Sequence, residues 1–272
     1  MMTHSTHYRH SGKAPAGGVL LTLVGGIIAG AVMGAAYGFL IYWSPFVYIN
    51  AILTFALGVG LAMAVGGLGA AGKIRNDAVI TIVALIVSAT AFYTHWVVWV
   101  ERMTEIRTVV PGELWSVITA VAELGPWTIF EWTPTGTSLY AIWGLEALIV
   151  VGVGTVSARG GIDMPFCEDT GQWATEQPLN RAFEPIDPNR AIDTPQSVLD
   201  VLQPASDPGD AFTEVTVATA EGSDLRCVSL KAVAVERKDD KEEKNEIQLV
   251  KNMLFDRDSF EKLLGIGRPS TA

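Results

Sequence analysis

Charge is nearly absent from the first 156 residues, which hold 6 Lys+Arg and 7 Asp+Glu. A soluble domain cannot be built from so little polar surface, so this part of the chain is excluded from that class. Cysteine is also scarce. Cys167 and Cys227 are the two in 272 residues, which excludes a disulfide framework. Histidine is missing from the C-terminal half, so nothing there stands in for absent thiolates. There is no basic excess either: the net charge is −10. Residues 157–272 carry almost all of it, with 13 Lys+Arg against 22 Asp+Glu. An acidic tail repels phosphate, which argues against nucleic-acid binding and against docking of the tail on an anionic leaflet. The chain contains no phosphate-binding loop, nucleophile elbow, H-E-x-x-H metal motif or dinucleotide fingerprint. No cofactor is implied.

What is present is long apolar runs. About 20 apolar residues span a bilayer as a helix, because lipid offers no partner to backbone polar groups. Four runs qualify as spans, at 17–42, 47–71, 78–100 and 139–157, the last carrying Glu146. The first is too long for a cleavable signal peptide. The expected fold is an α-helical membrane bundle of about four helices with a small α+β C-terminal domain. The segment 1–16 precedes the bundle, and 17–157 forms it. A Pro/Asp-rich linker follows at 158–210, then a sheet-plus-helix domain at 211–272.

Lys and Arg in short loops set orientation. Arg9 and Lys13 precede the first span, the first turn (43–46) is uncharged, and the second (72–76) carries Lys73 and Arg75. The loop 101–138 holds two arginines and five glutamates, and Arg159 follows the fourth span. This alternation predicts a multi-pass protein of the bacterial inner membrane with both termini cytoplasmic, surrounded by membrane lipid. The two cysteines are then reduced thiols. Tyr42, Trp43, Phe46, Trp96, Trp99, Trp127, Trp132 and Trp143 mark the outer interface. Within the outer loop, Pro111 to Leu124 reads as an amphipathic helix, with Leu114, Val117, Ile118, Val121 and Leu124 on one face. It lies flat on the bilayer or packs on its neighbours.

Four features are candidates for function. Gly26, Gly30, Gly34 and Gly38 recur every fourth residue, and Gly58 and Gly66 repeat the spacing in the second span. Such a glycine zipper allows close helix packing, within the chain or in a homo-oligomer. Glu146 lies mid-span, where a carboxylate must be protonated or paired; Asn50, Tyr93 and His95 are its candidate partners. It serves a proton or cation relay, or packing alone. Cys167 and Cys227 are weak metal candidates. Thr170 and Leu230 stand where a C-x-x-C pair would place its second thiolates, so zinc is disfavoured. His4, His7 and His10 read as a disordered polar end rather than a metal site.

In the tail, Thr194 caps a helix starting at Pro195 with Val198, Leu199 and Leu202 inward. Strands are expected at Thr213–Ala220, Arg226–Glu236 and Ile247–Leu254, with a charged loop at Lys238–Lys244. Asp258 and Glu261 form a capping box for a last helix through Leu264. A three-stranded domain of this size is marginal alone.

Several segments carry a resemblance. They are Tyr8-Arg9-His10-Ser11-Gly12-Lys13, Pro45-Phe46-Val47-Tyr48-Ile49-Asn50, Gly72-Lys73-Ile74-Arg75-Asn76, Gly125-Pro126-Trp127, Trp143-Gly144-Leu145-Glu146-Ala147 and Pro165-Phe166-Cys167-Glu168. On these the chain resembles uncharacterised bacterial four-helix inner-membrane proteins, over most of its length. The resemblance implies the same fold and no named function. It also implies a complete zinc-ribbon-like C-x-x-C in relatives, where this chain has Cys167 and Thr170.

Three functions are then in play. The first is a non-enzymatic membrane-anchored interaction or scaffold protein, binding a protein partner through the C-terminal domain's sheet edge. The second is a small proton- or cation-coupled transporter or channel using Glu146. The third is a membrane enzyme acting on lipid through loop carboxylates such as Glu123 and Glu131, for which no nucleophile constellation is present.

Overall fold

A computed structural model describes residues 6–44, 46–128, 131–206, 209–238 and 241–267. The chain forms two compact units, one of residues 11–163 and one joining residues 1–10 to 164–272.

The first unit holds α1 (Ala16–Trp43), α2 (Val47–Ala71), α3 (Asp77–Thr104), α4 (Pro111–Leu124) and α5 (Gly136–Ala158), closed by a 3-10 turn at Arg159–Ile162. The four long helices are long and apolar enough to cross a membrane. At 1.5 Å per residue, α1 and α3 are each about 42 Å long, more than the ~30 Å hydrocarbon core. The outward residues of the long helices, among them Leu20, Ile28 and Val32 of α1, Ile52 of α2 and Ile82 of α3, are exposed. In bulk water such a surface would aggregate; in lipid it is solvated.

Helix α3 runs four residues beyond its apolar run. Asn76 caps its start, accepting from the Val79 N–H at 3.0 Å. It stops where Glu105 turns to φ 63 and donates its N–H to Glu101 O at 2.9 Å. Helix α5 begins three residues before its apolar run, where Thr135 N–H donates to Ser138 Oγ at 3.2 Å. Helix α4 spans the residues the periodicity indicates. Its Leu114, Ile118 and Val121 are buried with Trp96, Trp99, Leu139 and Trp143, so this face packs on α3 and α5. Trp115, 60% exposed, and Leu124 point away from that core.

The glycine face of α1 meets α3 backbone to backbone. A Cβ on Gly30 would lie 2.9 Å from Val87 O and one on Gly38 2.7 Å from His95 O, while one on Gly34 would overlap Ala91 O. Gly66 does the same for α2 against Ala158 O of α5, while Gly58 packs on the Val153 side chain of α5. These contacts all lie within the chain.

The second unit differs from the expectation in three ways. First, 158–210 is not a linker. It supplies a two-stranded hairpin of β1 (Phe166–Cys167) and β2 (Gln172–Trp173), then β3 (Thr175–Pro178) and α6 (Pro195–Val201). Phe183, fully buried, and Val198 sit in the domain's main core. Proline density misleads here because Pro178 lies on an edge strand, where a missing N–H costs no ladder bond. Second, the sheet has four strands rather than three, in the order β3-β4-β5-β6, all antiparallel. They are β3, β4 (Ala211–Thr219), β5 (Arg226–Lys238) and β6 (Lys241–Leu254). The expected charged loop is mostly strand: residues 241–244 pair antiparallel with 235–238, continuing a ladder in which Lys231 Nζ lies 2.9 Å from Glu246 Oε2. Third, the N-terminal segment belongs to this domain. His7 bridges Met253, Tyr8 N–H donates to Asn252 O at 2.8 Å, and Leu254 N–H donates to Thr6 O at 2.8 Å.

Helix α7 (Arg257–Gly267) is capped by Asp256, whose Oδ1 accepts from the Ser259 N–H at 2.9 Å. The expected Asp258/Glu261 box sits two residues too late, inside the helix. Bonds from Ser259 and the helix amides hold the Asp256 carboxyl below its usual range. With 164–210 contributing to the core, the domain is far larger than the marginal three-stranded unit.

Candidate functional site

Helix packing brings three hydroxyl and carboxyl groups together inside the bundle. Gly58 opposes Ile149 and Val153, so Thr54, one turn earlier on α2, lies level with Glu146 on α5. The α1–α3 contact at Gly34 and Gly38 turns Tyr37 inward, to 3% exposure, beside His95 at 1%. Tyr37 Oη lies 2.5 Å from Glu146 Oε1 and 2.7 Å from Thr54 Oγ1. Thr54 Oγ1 is 3.3 Å from the same carboxyl oxygen and donates to Asn50 O at 2.8 Å. Three contacts below 3 Å thus join Glu146, Tyr37, Thr54 and the Asn50 carbonyl in line. Each needs one proton. The two hydroxyls supply two and the carbonyl supplies none.

The group borders a cavity of about 430 Å³ at the end of the bundle formed by the α1–α2 turn and the α3–α5 connection. Its wall includes Asn50, Thr54, His95 and Glu146 beside Trp96, Trp99, Trp127 and Trp143. Trp96 meets Trp143 and Trp99 edge to face, at 4.8 and 5.4 Å between centroids. Among the described residues, Asn50 Oδ1 is buried with no hydrogen-bond partner.

Of the expected partners, Asn50 contributes its carbonyl to the chain of contacts and its side chain to the cavity. His95 shares the cavity and lies 5.0 Å from the Tyr37 ring, yet its Nδ1 pairs with Phe92 O at 3.1 Å rather than with Glu146. Tyr93 does not reach Glu146. Two residues from His95 is about 200° around a helix. Tyr93 instead lines a separate apolar groove of about 790 Å³ between α3, α4 and α5, and its hydroxyl donates to Val109 O at 2.5 Å. The sequence reading missed Tyr37 and Thr54. A signal existed for Tyr37: it lies three residues after Gly34, on the glycine face, where a buried phenol needs a partner.

The cysteines are apart in role. Cys227, on β5, packs with Ala174 and Ala218, and burial followed by the nearby Glu176 pushes its thiol up to about 12. Cys167 closes the β1–β2 turn. Burial pushes its thiol up, but Thr170, the neighbouring amides and the Ser223 hydroxyl outweigh this and lower it. Leu230 is a core residue of the sheet, not a neighbour of Cys167. Among the described residues no group of three or more His, Cys, Asp or Glu gathers. His4 lies outside the described residues, and His10 sits edge-on to Trp173 at 6.2 Å. Glu123 and Glu131 are exposed.

No family model, curated protein or solved structure matches the chain.

Proposed function

We propose that this chain is a small proton-coupled carrier in the bacterial inner membrane, with Glu146 as the proton-bearing group. The hydrogen-bonded line from Glu146 through Tyr37 and Thr54 to the Asn50 carbonyl carries this reading. Its three contacts are all satisfied when the third proton sits on Glu146, which donates to Tyr37 as Tyr37 donates to Thr54. An ionised carboxylate leaves one contact without a proton and places a bare charge mid-span. A cavity borders that proton on one side. On the other, the glycine contacts of α1 with α3 and of α2 with α5 bring backbones together, so passage requires these helices to shift. This favours a carrier over an open channel.

Orientation rests on the Lys/Arg pattern and on one further support. The segment before α1 and the domain after α5 share a fold, as an even number of spans requires. The end of the bundle that carries Lys13, Lys73, Arg75 and Arg159 is then cytoplasmic, and the cavity, at the opposite end of the same helices, faces out.

The test is proton flux in proteoliposomes. Wild-type protein acidifies or alkalinises the lumen in response to an imposed solute gradient, and Glu146→Gln does not. Equal flux in both removes the reading.

A second reading, a membrane-anchored interaction protein, draws on β6. Residues 243–248 of this edge strand are exposed, with Ile247 53% exposed. Edge strands pair with partner strands. A stoichiometric partner that is lost from Ile247→Pro protein, with proton flux absent in the wild type, would favour it.

A further inference from the structure

We infer that the solute taken into the Glu146 cavity is a primary ammonium carried on a small apolar or aromatic body. This rests on the carrier reading and adds the ligand's chemistry to it.

Two acceptors in the cavity wall are placed to take donors from a ligand. Among the described residues Asn50 Oδ1 is buried and unpartnered, so it leaves an acceptor for an N–H. Both hydroxyls approach the same oxygen of Glu146, Oε1, which leaves Oε2 for a second N–H. An ammonium has three donors and no acceptor, matching these acceptors. Much of the remaining wall is apolar or aromatic, with the indoles of Trp96, Trp99, Trp127 and Trp143 beside aliphatic residues such as Ile142 and Leu145. Tyr42, Ser44 and Thr128 are among its other polar groups. Indole faces attract cations and pack well on apolar bodies. A hard metal ion asks instead for six or so oxygens, more than Asn50, Thr54 and Glu146 supply. An anion finds no Lys or Arg among the described residues of the wall. The volume, about 430 Å³, falls in the range of small-molecule sites.

Binding is an exchange. The ammonium enters as the Glu146 proton passes to water at the cavity mouth. Tyr37 O–H then donates to the carboxylate Oε1, and the ammonium's N–H groups donate to Oε2 and to Asn50 Oδ1. One cation enters and one proton leaves, so the charge of the cavity is unchanged. The titratable groups facing Glu146 are Tyr37 from α1 and His95 from α3, with Tyr42 elsewhere in the cavity wall. Helix α2 adds Asn50 and Thr54, which do not titrate.

The experiment uses the full chain in detergent. Phenethylammonium and its neutral isostere propylbenzene are titrated against tryptophan fluorescence, with proton release followed by a pH indicator. The expected result is saturable quenching by phenethylammonium, one proton released per ligand, and weaker binding as pH falls. Glu146→Gln weakens binding by about tenfold or more, as when one partner of a desolvated charge pair is removed. Asn50→Leu weakens it less, and Trp127→Leu controls for loss through the aromatic wall. Equal affinity for propylbenzene, or wild-type affinity in a folded Glu146→Gln protein, overturns the inference. Absent phenethylammonium binding alongside intact Glu146-dependent flux overturns it while leaving the carrier standing. Absent binding together with absent flux overturns both.

Discussion

Glycine-to-alanine substitutions at two places in the bundle should move stability in opposite directions. At Gly34 an added methyl would overlap the Ala91 carbonyl oxygen of α3, which is backbone and cannot rotate away. The helices must separate. Separation also loosens the Gly30 and Gly38 contacts and withdraws Tyr37, three residues on, from Glu146. Overpacking of this kind costs about 1–3 kcal/mol, and a hydrogen bond between membrane helices adds about 0.6–1.7 kcal/mol. The expected loss for Gly34→Ala is therefore roughly 2–5 kcal/mol. At Gly144 on α5 an added methyl meets nothing within 4 Å. There the helix propensity of alanine should dominate, giving a gain of up to about 1 kcal/mol. The assay is unfolding of each purified variant in mixed micelles, followed by tryptophan fluorescence, with Gly152→Ala as a second open-space control. Equal behaviour of Gly34→Ala and Gly144→Ala would refute the claim that the α1–α3 approach is set by glycine.

Three further outcomes are expected. Phe183→Ala should cost the C-terminal domain about 3–5 kcal/mol in chemical unfolding, since the side chain is fully buried in its core; a loss under 1 kcal/mol would return 158–210 to the status of a linker. Tyr37→Phe should weaken binding to the Glu146 cavity and lower bundle stability by about 1 kcal/mol, read by the same micelle unfolding. The Cys227 thiol, raised when folded, is protonated in the folded chain at pH values where the unfolded chain ionises. Stability is therefore full below the unfolded pKa of about 9 and falls as pH rises from there to about 12, by about 1.4 kcal/mol per unit. Cys227→Ala should flatten that slope in alkaline unfolding titrations.

The legible parts of the fold were those with a period. Apolar runs located the four long helices to within a few residues, and the i, i+3, i+4 spacing from Leu114 onward located α4. Thr194 and Pro195 located α6, because capping is a local event. The part of the C-terminal domain that holds Phe183, Ile186 and Ile192 was not legible. These residues reach the core from irregular backbone at unequal spacing, and nothing local says that Pro178 ends an edge strand. The N-terminal strand addition was equally hidden, since Tyr8 and Asn252 are joined only in three dimensions. At the site, Glu146 stood out because a lone carboxyl among apolar residues is costly. Thr54 did not, because a threonine in a span satisfies itself on its own helix, as it does here on Asn50 O. Tyr93 misled because closeness in sequence to His95 is opposition on a helix.

The central claim is that Glu146 carries a proton at rest, hydrogen-bonded to Tyr37. Infrared spectroscopy of the protein in lipid measures this directly, through the carboxylic acid C=O band. Such a band is expected at neutral pH, disappearing in Glu146→Gln and moving to higher frequency in Tyr37→Phe. A wild-type spectrum identical to that of Glu146→Gln in this region, with a carboxylate signal in its place, would contradict it.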